Sequence, residues 1–323
     1  MNSKYAFLLL IFTGFFGSFI IYYLLASIIN PYGLFPWGID PIVDQDGPQK
    51  ELLVRNKTSI DVLVLGSSRS TLLSDDYLDN ISLFNFANTL GRTEDAYAIL
   101  STLIYDYKLK PKVVIYGLDV EAFNPDEEFN SFLLSNPKYF NKLVDNLKEL
   151  RRQTLILKRI FSVFYIKDMM MSITARKQYA NYIVDQNGIL EKPFKGSSCE
   201  WKGDTMFFLQ KQYKSKELSE KRINYFRKFI NLTSNENITL IVFITPLNPS
   251  VFQEVNKTTT YSHRLEKTIN LLKEYDNSIY FFDLSDNLAF GGNPLFYYDC
   301  VHPNRNNSNK IMMKIYPGFS NVI

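Results

Sequence analysis

The stretch Asp61-Val62-Leu63-Val64-Leu65-Gly66-Ser67-Ser68-Arg69-Ser70 restricts the fold of this 323-residue chain more than any other. Four consecutive aliphatic residues, two of them β-branched, are too few for a helix. They fit a strand buried on both faces, as in a parallel sheet covered by helices. Gly66 permits a sharp turn at the strand's end. The hydroxyls beyond it then lie at the carboxyl edge of the sheet, where open α/β folds gather their ligands. Further strands are predicted at Ser82–Ala87, Lys112–Leu118, Ile238–Thr245 and Ser278–Asp283. Helical patterns fall around Ser74–Asn80, Arg92–Tyr107 and Tyr261–Tyr275. This alternation predicts a parallel sheet with helices on both faces, a three-layer α/β/α domain.

A serine at such an edge is placed to be a nucleophile if a base reaches it. The plainer alternative is that Ser67, Ser68 and Ser70 cap the next helix. The other end of the chain bears on this choice. Tyr297-Tyr298-Asp299-Cys300-Val301-His302-Pro303-Asn304 sets an aspartate three residues before a histidine, and the chain has only two histidines. On a turn, that spacing lets the carboxylate fix the tautomer and orientation of the imidazole. The second histidine, His263, has Arg264, Glu266 and Lys267 around it and reads as part of a solvated helix face.

A strand ending Gly-Ser-Ser near the start and Asp-x-x-His-Pro near the end resemble the SGNH (GDSL-like) hydrolase superfamily, over about residues 58–120 and 236–315. The Gly-Ser-Ser-Arg form behind one apolar N-terminal segment is similar to its membrane-anchored branch. That branch includes the D-alanyl transfer protein of teichoic-acid modification and the alginate O-acetylation proteins. The resemblance implies a flavodoxin-like sheet and a triad of Ser68, His302 and Asp299. It implies an oxyanion site built from the backbone N–H of Ser68 and a glycine after the second strand. Gly91 is the candidate, with Asn88 as competitor because the spacing of Gly91 from Asn85 is about one residue longer than the superfamily's usual pattern. The superfamily's third strand usually ends Gly-x-Asn-Asp, whereas Gly117-Leu118-Asp119 lacks the asparagine. An ionised Asp119 donates no hydrogen bond, so it is assigned to the substrate site or to pinning a loop. Arg69 would bind an anionic group of the substrate or make a structural ion pair.

Residues 6–29 carry no charge and, at ~1.5 Å per residue, are long enough to cross a ~30 Å hydrocarbon core. Residues 1–5 are then cytoplasmic, since Lys4 precedes the segment and the next basic residue is Lys50. Residues 30–57, rich in Pro and Gly at first, read as a stem. Residues 58–323 form the domain, with an insertion at about 125–235. Within it, Leu143, Leu147, Leu150, Thr154, Leu157, Phe161 and Phe164 recur at spacings of four and three, the seam of a long helix or a helix pair. Residues 136–180 hold ten Lys/Arg against three acidic residues, a net +7. This element would pack on the main domain, or rest on an anionic membrane or glycan. Asp185-Gln186-Asn187-Gly188 predicts a hairpin turn.

The overall charge of +3 argues neither for nor against a polyanionic partner. There is no zinc spacing, Walker loop or dinucleotide fingerprint, so no cofactor, metal or nucleic acid is expected. Cys199 and Cys300 would either form a disulfide over the catalytic loop or stay apart as buried thiols. The expected function is extracytoplasmic O-acyl transfer or ester hydrolysis on a cell-surface polysaccharide, beside a multispanning acyltransferase. The alternative is a non-catalytic glycan-binding or scaffolding partner.

Overall fold

The computed structural model describes residues 3–39, 46–76, 81–89, 91–125, 129–144, 147–174, 183–191, 209–299 and 301–322. The chain divides into two compact units, Met1–Gln45 with Ser131–Asn181, and Asp46–Asn130 with Tyr182–Ile323.

The larger unit is the α/β domain. Its strands are β1 (Val62–Gly66), β2 (Leu83–Asn85), β3 (Val113–Leu118), β6 (Thr239–Ile244) and β7 (Tyr280–Asp283), with the short β4 (Ile183–Val184) and β5 (Leu190–Glu191) between. The five long strands pair in the order β2-β1-β3-β6-β7, all parallel. This is the doubly wound, flavodoxin-like order, whose topological switch point lies between β1 and β3. Every predicted strand is present within a residue or two; β1, β2, β3 and β6 are aliphatic or aromatic runs buried on both faces, and the edge strand β7 is an aromatic run that is half-buried to exposed. The helices are α2 (Asp46–Arg55), α3 (Thr93–Tyr105), α8 (Glu220–Asn235), α9 (Pro249–Thr258), α10 (Tyr261–Lys273) and α11 (Arg305–Ile315). One core layer joins Val62, Val64, Val113, Ile115, Ile241 and Phe243 to Ile311, Met312 and Ile315 of α11.

Three expectations change. The stem does not extend to residue 57. At Asp46 the chain enters α2, where buried Asp46, Lys50 and Glu51 face the domain. Alternation resumes at α8, so the insertion ends well before residue 235. Around Ser74–Asn80 the described residues, up to Asp76, form turns and loop, and 77–80 lie outside the described set. The hairpin is present: β4 and β5 are antiparallel, and Gly188 takes φ +77° in their turn, a left-handed conformation suited to glycine.

The smaller unit holds α1 (Ser3–Ile29), α4 (Ser131–Ser135), α5 (Pro137–Phe140), α6 (Lys148–Ile160) and α7 (Val163–Thr174). Leu9–Ile29 of α1 is long and apolar enough to cross a membrane, with mean hydropathy 2.0. The predicted seam is a helix pair, broken at Phe161-Ser162.

Candidate active site

At the end of β1, Gly66 adopts φ +140°, which favours glycine, and the next residues tighten into a one-turn 3₁₀ helix, Ser68–Ser70. The three serines part company here. Ser67 caps the turn, its Oγ accepting from the Arg69 N–H at 3.2 Å. Ser70 is fully buried. Ser68 alone is partly exposed, and its Oγ lies 2.8 Å from His302 Nε2. Asn85 pins the end of the turn and the residues after it, its amide donating to the carbonyls of Ser70 and Leu73 at 2.8 and 2.9 Å.

The opposing loop lies between β7 and α11. Tyr297 and Pro303 form a bridge, and the Tyr298 N–H donates to the His302 carbonyl at 2.9 Å. The Asn307 amide donates to the carbonyls of Asn293 and Phe296, both at 3.0 Å. The tip of this loop carries the sequence-adjacent pair. Both Asp299 oxygens lie 2.8 Å from His302 Nδ1, and Asp299 also accepts the His302 backbone N–H at 3.0 Å. Burial alone would raise the Asp299 carboxyl. The His302 ring and the N–H groups of His302 and Val301 outweigh it and hold Asp299 well below the usual carboxylate range. With Nδ1–H given to this carboxylate, Nε2 is left as an acceptor for the Ser68 hydroxyl. Ser68, His302 and Asp299, 234 positions apart at the extremes of the set, are thus brought into one hydrogen-bonded line.

The other candidates fare differently. The Gly91 N–H donates to the Asn88 carbonyl at 3.0 Å. Its donor is already used, which counts against the oxyanion role expected of it. Gly91 instead serves close packing: a Cβ there would fall 2.1 Å from the Gly66 carbonyl oxygen and 2.6 Å from Asn88 Oδ1. Asn88 is buried, and its side-chain Nδ2 and Oδ1 have no partner among the described residues. Its backbone N–H donates to the Gly66 carbonyl at 3.1 Å, which anchors it at the same corner as Ser68. From α2, Lys50 donates to the Ala87 carbonyl and Asp46 accepts the Thr89 N–H at 3.1 Å, so α2 clamps the segment carrying Asn88. The Ser68 N–H donates to no acceptor among the described residues.

Arg69 and Asp119, each given a substrate role or a structural one (an ion pair for Arg69, a loop tether for Asp119), are turned inward and take the structural role. The Arg69 guanidinium is buried and grips Glu121 through two bonds of 2.6 and 3.3 Å, with Asp119 at 3.5 Å. Asp119 accepts from the Thr245 and Ser67 hydroxyls, and Tyr213 donates to Glu121 at 2.6 Å. Burial raises the Asp119 carboxyl despite Arg69 beside it. Glu121 is also penalised by burial but is lowered overall by Arg69 and Tyr213. The network ties the turn after β1 to the ends of β3 and β6, and Asp119 does pin a loop. Sequence reading missed Asn85, Glu121 and Tyr213. Only Asn85 carried a local signal, as the lone polar residue in Leu83-Phe84-Asn85-Phe86-Ala87.

His263 is exposed on α10, while its neighbour Arg264 is fully buried, donating to the Gln212 and Val120 carbonyls. That helix face is therefore only partly solvated. Cys199 and Cys300 lie outside the described residues.

The family model for DUF1574, described as a protein of unknown function, matches residues 49–314. The chain belongs to this DUF1574 family. No curated protein matches it. The DUF1574 match runs from within α2 to the last turn of α11 and so contains Ser68, Asp299 and His302.

Proposed function

We propose that this chain is a membrane-anchored, SGNH-like serine acyltransferase or esterase acting on O-acyl groups of a cell-surface polysaccharide. One observation carries the reading: the line Ser68 Oγ–His302 Nε2, His302 Nδ1–Asp299 at the sheet's switch point. The line also matches the order of the motifs in sequence. Ser68 Oγ would attack the acyl carbonyl while His302 Nε2 takes its proton. Asp299 would steady the imidazolium, and His302 would return the proton to the leaving oxygen. The unbonded Ser68 N–H and the unpartnered Asn88 amide at the same corner would be the donors for the developing oxyanion. A donor of this kind is typically worth ~2.7–4 kcal/mol. They take the place of Gly91 and of the asparagine missing before Asp119. Attack of water on the acyl-serine gives hydrolysis, and attack of a sugar hydroxyl gives transfer.

A membrane-anchored body with its N-terminus in the cytoplasm would hold this site outside the cytoplasm. There a multispanning acyltransferase would supply the acyl group. The full chain in detergent should be labelled at Ser68 by a fluorophosphonate and should hydrolyse p-nitrophenyl acetate. Ser68→Ala and His302→Ala should abolish both. A folded wild-type chain that neither labels nor turns over would refute the reading and favour a non-catalytic glycan-binding partner.

A further inference from the structure

The smaller unit contains an apolar surface that the catalytic reading does not use. The Phe161 ring, at the break between α6 and α7, stacks on Phe19 of α1 at 4.7 Å between centroids and lies 5.1 Å from the Tyr22 ring. The Tyr22 hydroxyl donates to the Ile160 carbonyl. Further along α7, the Tyr165 hydroxyl donates to the Ala26 carbonyl at 2.9 Å, and Tyr32 donates to Asp168. Partners therefore rise together along α7 and α1, so the two run side by side with the α6–α7 turn deepest. Phe19 precedes Ile29, the last residue of the apolar span, by about 15 Å of helix at ~1.5 Å per residue. That is about half of a ~30 Å hydrocarbon core.

The residues at and above this turn suit that depth. Val163 is 80% exposed and Phe164 65%. Exposed Ile166, Met170 and Ile173 continue a stripe from Val163 along α7, at spacings of three and four. On α6, exposed Leu150 and Leu157 lie one turn-pair apart, and each is followed at once by a basic residue, Arg151 and Lys158. Lys167 sits on α7, and Arg159 stacks over Tyr32 at 5.5 Å. Glu149 is tied to Arg152, and Asp168 accepts from Tyr32. An apolar stripe bordered by basic residues is the pattern of an element lying in an anionic interface.

We propose that α6 and α7 form a second membrane element, a helical hairpin whose apolar tip enters the leaflet at the C-terminal end of α1 and whose basic border meets anionic lipid headgroups. The proposal rests on reading α1 as the membrane anchor. Lipid, not a second protein, is the occupant because the stripe is continuous with the span through Phe19 and Phe161 and is edged by positive charge.

The test uses the full chain with Cys199→Ser and Cys300→Ser and one added cysteine at a time: Phe12→Cys in α1, Val163→Cys at the tip, or Leu288→Cys on the α/β domain. Each is labelled with an environment-sensitive fluorophore and reconstituted in vesicles of phosphatidylcholine and phosphatidylglycerol. Quenching by acyl-chain nitroxides is compared with quenching by aqueous iodide. The labels at 12 and 163 should be blue-shifted, quenched by the nitroxide and shielded from iodide, with the opposite result at 288. Arg151→Gln, Lys158→Gln and Lys167→Gln together, or vesicles of phosphatidylcholine alone, should weaken nitroxide quenching at 163 but not at 12. Quenching at 163 unchanged by both would overturn the headgroup part of the proposal. Nitroxide quenching at 12 with iodide access at 163 would overturn the hairpin and leave the anchor standing. Shielding at 163 from both quenchers would mean that protein covers the tip, against the proposal. Iodide access at 12 would overturn anchor and hairpin together.

Discussion

Asp299 and His302 are held by each other and by their own backbone, so their relative geometry needs little from the rest of the fold. The alignment of Ser68 with them needs much more, because Ser68 sits on a short turn over a buried ion cluster. On the proposed reading the three residues act as a unit, so Ser68→Ala and His302→Ala should each cost on the order of 10⁴–10⁶ in kcat, with the double variant little worse. Losses that multiply independently would argue against the line of three. Arg69 offers a contrasting case. Its guanidinium lies between Glu121 and Asp119, both largely buried. Arg69→Ala leaves these carboxyls without their counter-charge, a change that costs ~3–5 kcal/mol in buried pairs. Arg69→Lys should lose the two-pronged grip and lower Tm, yet leave KM for a neutral and an anionic ester in the same ratio. A selective rise in KM for the anionic ester would restore the substrate-binding role that the sequence left open.

At the level of elements, β1 and β3 meet through two glycines in register, Gly66 and Gly117. A Cβ on Gly117 would fall 1.9 Å from Ser70 Oγ and 3.2 Å from Ser70 Cβ, so the turn bearing Ser68 rests directly on β3. Gly117→Ala should push that turn, costing ~1–3 kcal/mol by overpacking and lowering kcat by misplacing Ser68 against His302. Ser70→Gly in the same chain should recover much of both losses, measured by urea unfolding and by ester turnover. Ser70 Oγ has no partner of its own among the described residues, so its removal sacrifices no hydrogen bond. These packing facts also mark what the sequence could reveal. The strands were legible because each is a short aliphatic or aromatic run, and the Asp299–His302 pair because its partners are three residues apart. The Arg69–Glu121 and Glu121–Tyr213 contacts join residues 52 and 92 positions apart, and no local pattern announces them. Gly91 was misread for a related reason. Its sequence context shows a glycine after a strand, but not that its N–H is already taken by Asn88.

For the molecule as a whole, the paired carboxylates at the surface and the buried acids of the α/β domain set the response to pH. Asp61 is lowered by its bond to Lys112, Asp76 by its bond to Arg305, and Asp299 by the His302 bonds that outweigh its burial. A lowered carboxyl stabilises the fold above its unfolded value, near 3.8, and that contribution is lost as pH falls below it. Asp95 at the start of α3 works the other way. Burial, and then the charge of Glu94, push it up to about 8, although it accepts the Arg92 N–H at 2.9 Å. Between about pH 4 and 8 the folded chain keeps this proton while the unfolded chain releases it. Its stabilisation is therefore complete below about pH 4 and is lost as pH rises towards 8. The slope reaches up to about 1.4 kcal/mol per pH unit for one proton. Stability should accordingly be highest near about pH 4 to 5, below neutrality. Asp95→Asn, a neutral isostere of the protonated acid, should make the decline between about pH 4 and 8 shallower, the remainder coming from Asp119 and Asp75, which burial also raises, and should leave the acid limb, set by Asp61, Asp76 and Asp299, in place. Urea midpoints of both chains across that range test this. A wild-type midpoint that rises from about pH 4 to 8, or an Asp95→Asn chain with the wild-type slope, would show that Asp95 is ionised in the folded protein.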